Sequence, residues 1–392
     1  MQIWNDLNAS RKAIAAFAAV GIGWASFSAQ MPVIKTQVGV GDGLWGTLLL
    51  LGSSGALLAM WLAPLFYRIL RTWALLVSVM VMIVGFMLTG IAEGPIFIGV
   101  ALFMAAAGSG IADVLANNEV SEAESVSGHS LMNLNHGLFS IAYAIAAIAV
   151  GVAREAEISS VGIFGGMAIL IIVSMVWMKL PDRLLDLERD EKDFSGMPFG
   201  LVWVGGLVVL AAFLGEAATE GWSALHVERT LGGRASEGAM GPALLGFGMA
   251  VGRLGAHWFG SDWPPIRVMI IGSCVAGLGL AFVGAAPTIG MSYLGFAIGG
   301  LGVSVVGPLA LSLVGRAVAQ RYRLAALSQA AALGYAAFFL GPVIMGYVSE
   351  GFGLRVSFYV IGAIMLVVAF VLVPLWARML RSGVYSEKQA NR

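Results

Sequence analysis

Residues 108–140, GSGIADVLANNEVSEAESVSGHSLMNLNHGLFS, hold the first groups in this chain equipped for chemistry in an apolar setting. Asp113 is an acid in a run otherwise fit for hydrocarbon. Asn117, four residues on, shares its helical face. His136 follows on the next apolar run, and imidazole is the side chain that changes charge near neutral pH. An ionised carboxylate at the bilayer centre costs about 2.5–3.5 kcal/mol on insertion scales, and more in simulations. Asp113 therefore implies either a site that takes up and releases a proton or a permanent structural pair, and the residues leave both readings open. Arg253 and Glu216 are further charged groups in apolar runs. Trp24 with Ser28 at i+4, Tyr143 on the face of His136 and Ser140, and Tyr335 offer rings and hydroxyls that can hold an amphipathic solute.

The elements that carry these residues follow from composition. Of 392 residues, 59% are apolar and 11% charged, against about a quarter charged in soluble domains. This is the balance of an all-α polytopic membrane protein. Net charge is +0, which gives no basic field for nucleic acid. The single Cys274 excludes an intrachain disulfide framework and reads as a small buried hydrophobe. His129, His136, His226 and His257 are scattered without metal-ligand spacing, and no metal or cofactor is expected.

Spanning takes about 20 apolar residues. The runs that meet this are 13–31, 44–64, 73–92, 96–117, 131–153, 158–179, 199–222, 240–260, 266–286, 290–312, 324–348 and 354–376, which makes twelve helices. The first reads as a retained helix rather than a cleaved signal, because no convincing cleavage site precedes the polar loop. With both termini cytoplasmic, sixteen of the 22 Lys and Arg fall on the inner side. Lys35, Arg154, Arg229, Arg234 and Arg355 fall on the outer side, with Arg253 inside a span. The positive-inside rule favours that orientation. Trp45 and Trp222 fall at outer ends, and Trp61, Trp73, Trp177, Trp203, Trp258, Trp263 and Trp376 at inner ends, as belts of interfacial aromatics would. The charged stretch 179–195 divides the helices six and six. This gives an N-terminal bundle over 1–180, a cytoplasmic linker over 181–198 and a C-terminal bundle over 199–392.

Three stretches, GIADVLANN…HGLFS (110–140), GEAATEGWSALHV (215–227) and LSQAAALGYAAFFLGPVIMGYVSEGFGLR (327–355), resemble the major facilitator superfamily. Within it they resemble the bacterial fucose-permease-like and uncharacterised inner-membrane transporters. The resemblance covers nearly the whole chain. It implies two six-helix bundles rocking about a central cavity, a small-molecule substrate, a monomer among membrane lipids, and alternating access in a cell inner membrane. Residues 63–71, APLFYRILR, keep Arg68 and Arg71 of the family's loop pattern but carry Tyr67 where its aspartate stands. In the second half, 252–262 read GRLGAHWFGSD, with His257 near the expected acid. The first helix also lacks the acid found in fucose-type proton symporters.

At 1.5 Å per residue, Asp113 and His136 fall about 6–8 Å, and Arg253 about 10 Å, below the inner surface. In the family, helices five and eight meet across the boundary between the bundles, with helix four nearby. The expectation is an inner gate or proton-coupling cluster of Asp113, Asn117, His136 and Arg253 that forms when the protein faces outward. Glu216, about 25 Å from the inner side, is expected at the outer mouth. Trp24, Ser28, Tyr143 and Tyr335 are expected to line the substrate cavity. The function read from all this is secondary transport of a small organic solute, sugar-like in one reading, with protons as a coupling partner. The alternatives are efflux of a lipophilic compound and a transport-dead sensor or scaffold. The chain has no H-E-x-x-H, G-x-S-x-G or Walker motif to suggest an enzyme.

Overall fold

The computed structural model describes residues 2–129, 131–180, 197–259 and 263–381. Most of the expected linker, 181–196, lies outside the described residues. A short helix α1 (Gln2–Ala9) precedes six spanning helices: α2 (Arg11–Val38), α3 (Asp42–Leu70), α4 (Ala74–Thr89), α5 (Pro95–Ser127), α6 (Met132–Glu155) and α7 (Ser160–Ser174). Six more spans follow. They are α8 (Phe199–Leu225), α9 (Ala235–Phe259), α10 (Pro265–Ala285), α11 (Ile289–Ala317), the pair α12 (Arg323–Tyr335) and α13 (Ala337–Phe352), and the pair α14 (Leu354–Val367) and α15 (Val373–Arg381). No strand occurs among the described residues. Eleven of the twelve spans are long and apolar enough to cross a bilayer by length and hydropathy alone. The twelfth is α9, the helix that carries Arg253.

Two ends differ from the sequence expectation. The acidic stretch after residue 117 is helical, because 111–127 contain neither Gly nor Pro. It stops only at Gly128, whose φ of 72° is a left-handed cap. Glu124 from this added length caps the next helix by accepting from the backbone N–H of Leu131 (2.6 Å) and Met132 (2.9 Å). At the other end of the molecule, α8 continues through a π-helical turn at His226–Thr230 instead of stopping near Trp222. In the eleventh span, Ala336 keeps right-handed angles (φ −59°, ψ −19°), so α12 and α13 meet at a local tightening rather than a turn.

Within each half, packing relies on small residues. A Cβ on Gly302 of α11 would lie 2.3 Å from the Ala276 backbone nitrogen of α10, a contact only glycine permits. Between the halves, α6 lies along α9, α3 meets α13, and α2 touches α8 and α9. The lipid-facing surface is apolar, and Trp61, Trp73, Trp177, Trp203, Trp258 and Trp263 are all more than half exposed, as a membrane belt requires. Trp45, Trp222 and Trp376 depart from that expectation. Each is fully buried, and Trp45 stacks on Phe27 with ring centroids 6.5 Å apart. Their position near a helix end did not decide between lipid and core.

Candidate functional site

The α6–α9 contact runs from Gly151 against Ala239 to Gly137 against Leu254. Arg253 reaches across it. Its guanidinium donates to the Ser140 hydroxyl of α6 at 2.7 Å and pairs with the Glu216 carboxylate of α8 at 3.1 Å. The pair is largely enclosed, with Arg253 and Glu216 side chains 9% and 16% exposed. Such a pair persists in low dielectric because each charge has the other, and Arg253 has the Ser140 hydroxyl as well.

This placement corrects the expectation for Glu216. It is the eighteenth residue of a helical run of 32, Phe199–Thr230. It therefore lies about 25 Å from one end and about 21 Å from the other, at mid-depth rather than at a mouth. The expectation erred because it ended the helix at residue 222. The signal it missed was the absence of any helix breaker between Trp222 and Thr230.

Asp113, Asn117 and His136 are brought together, but without Arg253 as a bonded member. The Asn117 amide donates to the Asp113 carboxylate at 3.1 Å and to the Asp113 carbonyl at 2.9 Å. The ring Nε2 of His136 lies 3.4 Å from the Asn117 carbonyl oxygen, and Phe17 packs on the imidazole at 4.7 Å between centroids. Among the described residues no cation pairs with Asp113. Arg253 is bound to Glu216 instead, because Ser140, one turn beyond His136, offers it a partner and α8 brings a carboxylate to the same level.

The aromatic candidates separate into different settings. Trp24 donates through Nε1 to Ser109 at 3.3 Å and sits edge-on to Phe27 and Phe86, inside the first half. Tyr335 heads a matching group in the second half, 5.9 Å from both Phe213 and Phe338. Tyr143 is 1% exposed and Ser28 4%. The Tyr143 hydroxyl has Ser28, Glu220 and Glu216 as polar neighbours. Glu220, one turn from Glu216 on the same face of α8, was not singled out by the sequence reading. The i, i+4 spacing of two acids in an apolar span was the available signal.

At the end of the molecule away from the termini, a second set of charges ties the halves together. Asp42 of α3 accepts from Arg229 (2.7 Å) at the end of α8, pairs with Lys35 (2.9 Å), and also binds Ser349 of α13. Arg154 of α6 donates to both carboxylate oxygens of Glu228 (2.7 and 2.9 Å). Glu350 accepts from the Gly43 backbone, and a Cβ on Gly46 would lie 2.3 Å from the Pro342 carbonyl oxygen. The named α3–α13 contacts all fall within residues 42–47 of α3.

Two six-helix halves, tied by charges at one end and carrying charged groups on facing helices at mid-depth, define a polytopic all-α membrane protein of the major facilitator fold. The comparisons agree. Residues 205–390 match the family model of the Major Facilitator Superfamily. The chain is 26% identical over 360 residues to an uncharacterized MFS-type transporter of Yersinia pestis, covering 90% of this chain and 92% of that one. It superposes on a bacterial homolog of the human lysosomal transporter Spinster in an inward-facing, unoccupied conformation. That match has a TM-score of 0.68 at 15% identity and covers 97% and 99% of the two chains. It also superposes on a D-xylose-proton symporter, with TM-score 0.70, 14% identity and coverage of 93% and 96%. The chain thus shares its fold with major facilitator transporters over nearly its whole length and matches the superfamily's model over its second half.

Proposed function

We propose that this protein is a secondary transporter that binds a small organic solute between its halves at mid-depth and exposes it alternately to the two sides of a cell inner membrane. In this reading the termini are cytoplasmic and the charge latch of Asp42, Arg229, Arg154 and Glu228 closes the outer end in this structure. The proton is the coupling ion and Asp113 its carrier, with Asn117 holding the carboxylate and His136 adjoining as relay. The observation that carries this is an intramembrane acid whose hydrogen-bond partner is an amide and which no cation pairs among the described residues. A merely structural carboxylate would be expected beside a counter-ion. The likeness in fold to a D-xylose-proton symporter supports a proton-driven reading and brings a sugar-like solute within it.

The test is proton uptake into proteoliposomes, followed with an enclosed pH dye while sugars and other small organic solutes are added. The native protein is expected to move protons with its solute. Asp113→Asn is expected to abolish proton movement at least 100-fold while still exchanging solute down its gradient. Solute flux indifferent to both the proton gradient and the mutation would remove Asp113 from the mechanism.

A further inference from the structure

Around the Arg253–Glu216 pair, three polar groups lack partners. Glu220 makes no hydrogen bond and no ion pair among the described residues, yet it retains accessible surface deep in the bundle. The Tyr143 hydroxyl, in a residue 1% exposed, makes no well-formed hydrogen bond and has only Ser28 as a near hydroxyl, and Arg253 Nε, in a residue 8% exposed, has no hydrogen-bond partner. Buried polar groups left unmatched destabilise a fold, so two of them beside an unpaired carboxylate point to something bound there. Their chemistry is complementary to one kind of guest. A carboxylate calls for a cation, while the phenol and the guanidinium N–H call for an accepting oxygen. Two carboxylates against one guanidinium leave one negative charge. Tyr143 packs among Ala25, Ala29, Ala147 and Ala243 from both halves, so its hydroxyl lies at the seam between them.

We infer that the mid-depth face formed by Glu216, Glu220, Arg253, Tyr143 and Ser28 is the binding site for a small organic monocation, whose ammonium group rests on Glu220 and whose oxygen faces Tyr143 and Arg253. Ser28 of α2 and Tyr143 of α6 come from one half, and Glu216, Glu220 and Arg253 come from the other. The guest therefore bridges the seam that opens and closes. This rests on the transporter reading and names its substrate class. The Glu216–Arg253 pair holds the site's shape, and Glu220 sets its charge preference.

Isosteric pairs that differ in charge test it: glucosamine against glucose, ethanolamine against ethylene glycol, and choline against 3,3-dimethylbutanol. Binding to the detergent-purified protein is measured by calorimetry, and uptake by tracer flux in proteoliposomes. At least one amine is expected to bind 10-fold or more tightly than its neutral partner. Glu220→Gln erases that preference, Glu220→Asp keeps it, and Tyr143→Phe weakens binding about 5-fold without changing the preference. Gel filtration of each variant confirms that it is folded. The inference is overturned if no amine outbinds its neutral partner, if the preference survives Glu220→Gln, or if that variant loses proton movement alone. Neutral solutes crossing while amines do not would leave the transporter reading intact and remove the cation site. Amine binding with no flux of any solute would keep the site and remove transport.

Discussion

The latch at the far end and the seam at mid-depth both join the two halves with charges, but they are built differently. At the latch Asp42, Arg229, Arg154 and Glu228 each have an opposite charge. Asp42 takes Arg229, Lys35 and Ser349, and Arg154 holds both oxygens of Glu228. At the seam Arg253 and Glu216 are matched, while Glu220 and Asp113 have no cation among the described residues. A matched set has one favoured arrangement and resists change. An unmatched set is incomplete until a proton or a solute arrives. In the proposed transport cycle, closure falls to the latch and chemistry to the seam.

The largest way to break that contrast is to unmatch the matched pair of the seam. Arg253→Met strands Glu216 beside Glu220 in low dielectric, and removing one partner of a buried pair costs about 3–5 kcal/mol. Thermal unfolding in detergent is expected to fall accordingly, with uptake lost. The double variant with Glu216→Gln is expected to recover most of the stability but not the uptake, since the seam would have lost its shape.

Next comes a wedge at the latch. Gly46→Val places a side chain where the Pro342 carbonyl now stands, 2.3 Å from the position of a Cβ. The chain is expected to fold, because the site lies between halves rather than within one, and to rest with its far end open. Alkylation of Thr47→Cys, in a Cys274→Ser background, is expected to rise at least 10-fold, with transport falling by a similar factor. Unchanged alkylation would show that the α3–α13 contact is not what closes this end.

Asp42→Asn is a smaller push in the same direction. It removes the charge that Lys35 and Arg229 share and keeps the shape, a loss of about 1–3 kcal/mol. The same alkylation assay is expected to show a shift that is additive with neither the wedge nor an Arg229 substitution, because all three act on one contact. The smallest effect is expected at the rim. Arg234 meets Glu155 at 3.3 Å with side chains 70% and 37% exposed, and Arg234→Ala should leave the thermal unfolding temperature unchanged. A loss as large as that of Asp42→Asn would mean the latch is wider than its buried part.

Several of these contacts reinterpret a pattern visible in the sequence. Lys35, Arg154, Arg229, Arg234 and Arg355 are the few basic residues expected on the outer side, and each has a partner. Lys35 meets Asp42, Arg154 meets Glu228, Arg229 meets Asp42, Arg234 meets Glu155, and Arg355 donates to the Gly284 and Ala286 carbonyls (3.1 and 2.7 Å). The scarcity of cations at that end was legible, and the work they do was not.

The sequence by itself determined the number and order of the spanning helices and the presence of costly polar groups within them. Length and hydropathy are local properties, and hydrocarbon enforces them residue by residue. It also placed Asp113 and Asn117 on one face, since i and i+4 meet in any helix. What it left undetermined were helix ends and partners. The run to Ser127 and the run through Thr230 depend on caps and on neighbouring packing, and an error at the second carried Glu216 from mid-depth to a mouth. Tertiary structure alone decided that Arg253 joins Glu216 and Ser140 rather than Asp113, and that Trp45 and Trp222 face the core rather than the interface. The physical reason is common to both. A charge or an indole near a given depth is satisfied by whichever partner the packing of several helices brings to that depth, and that packing is written in no single stretch of the chain.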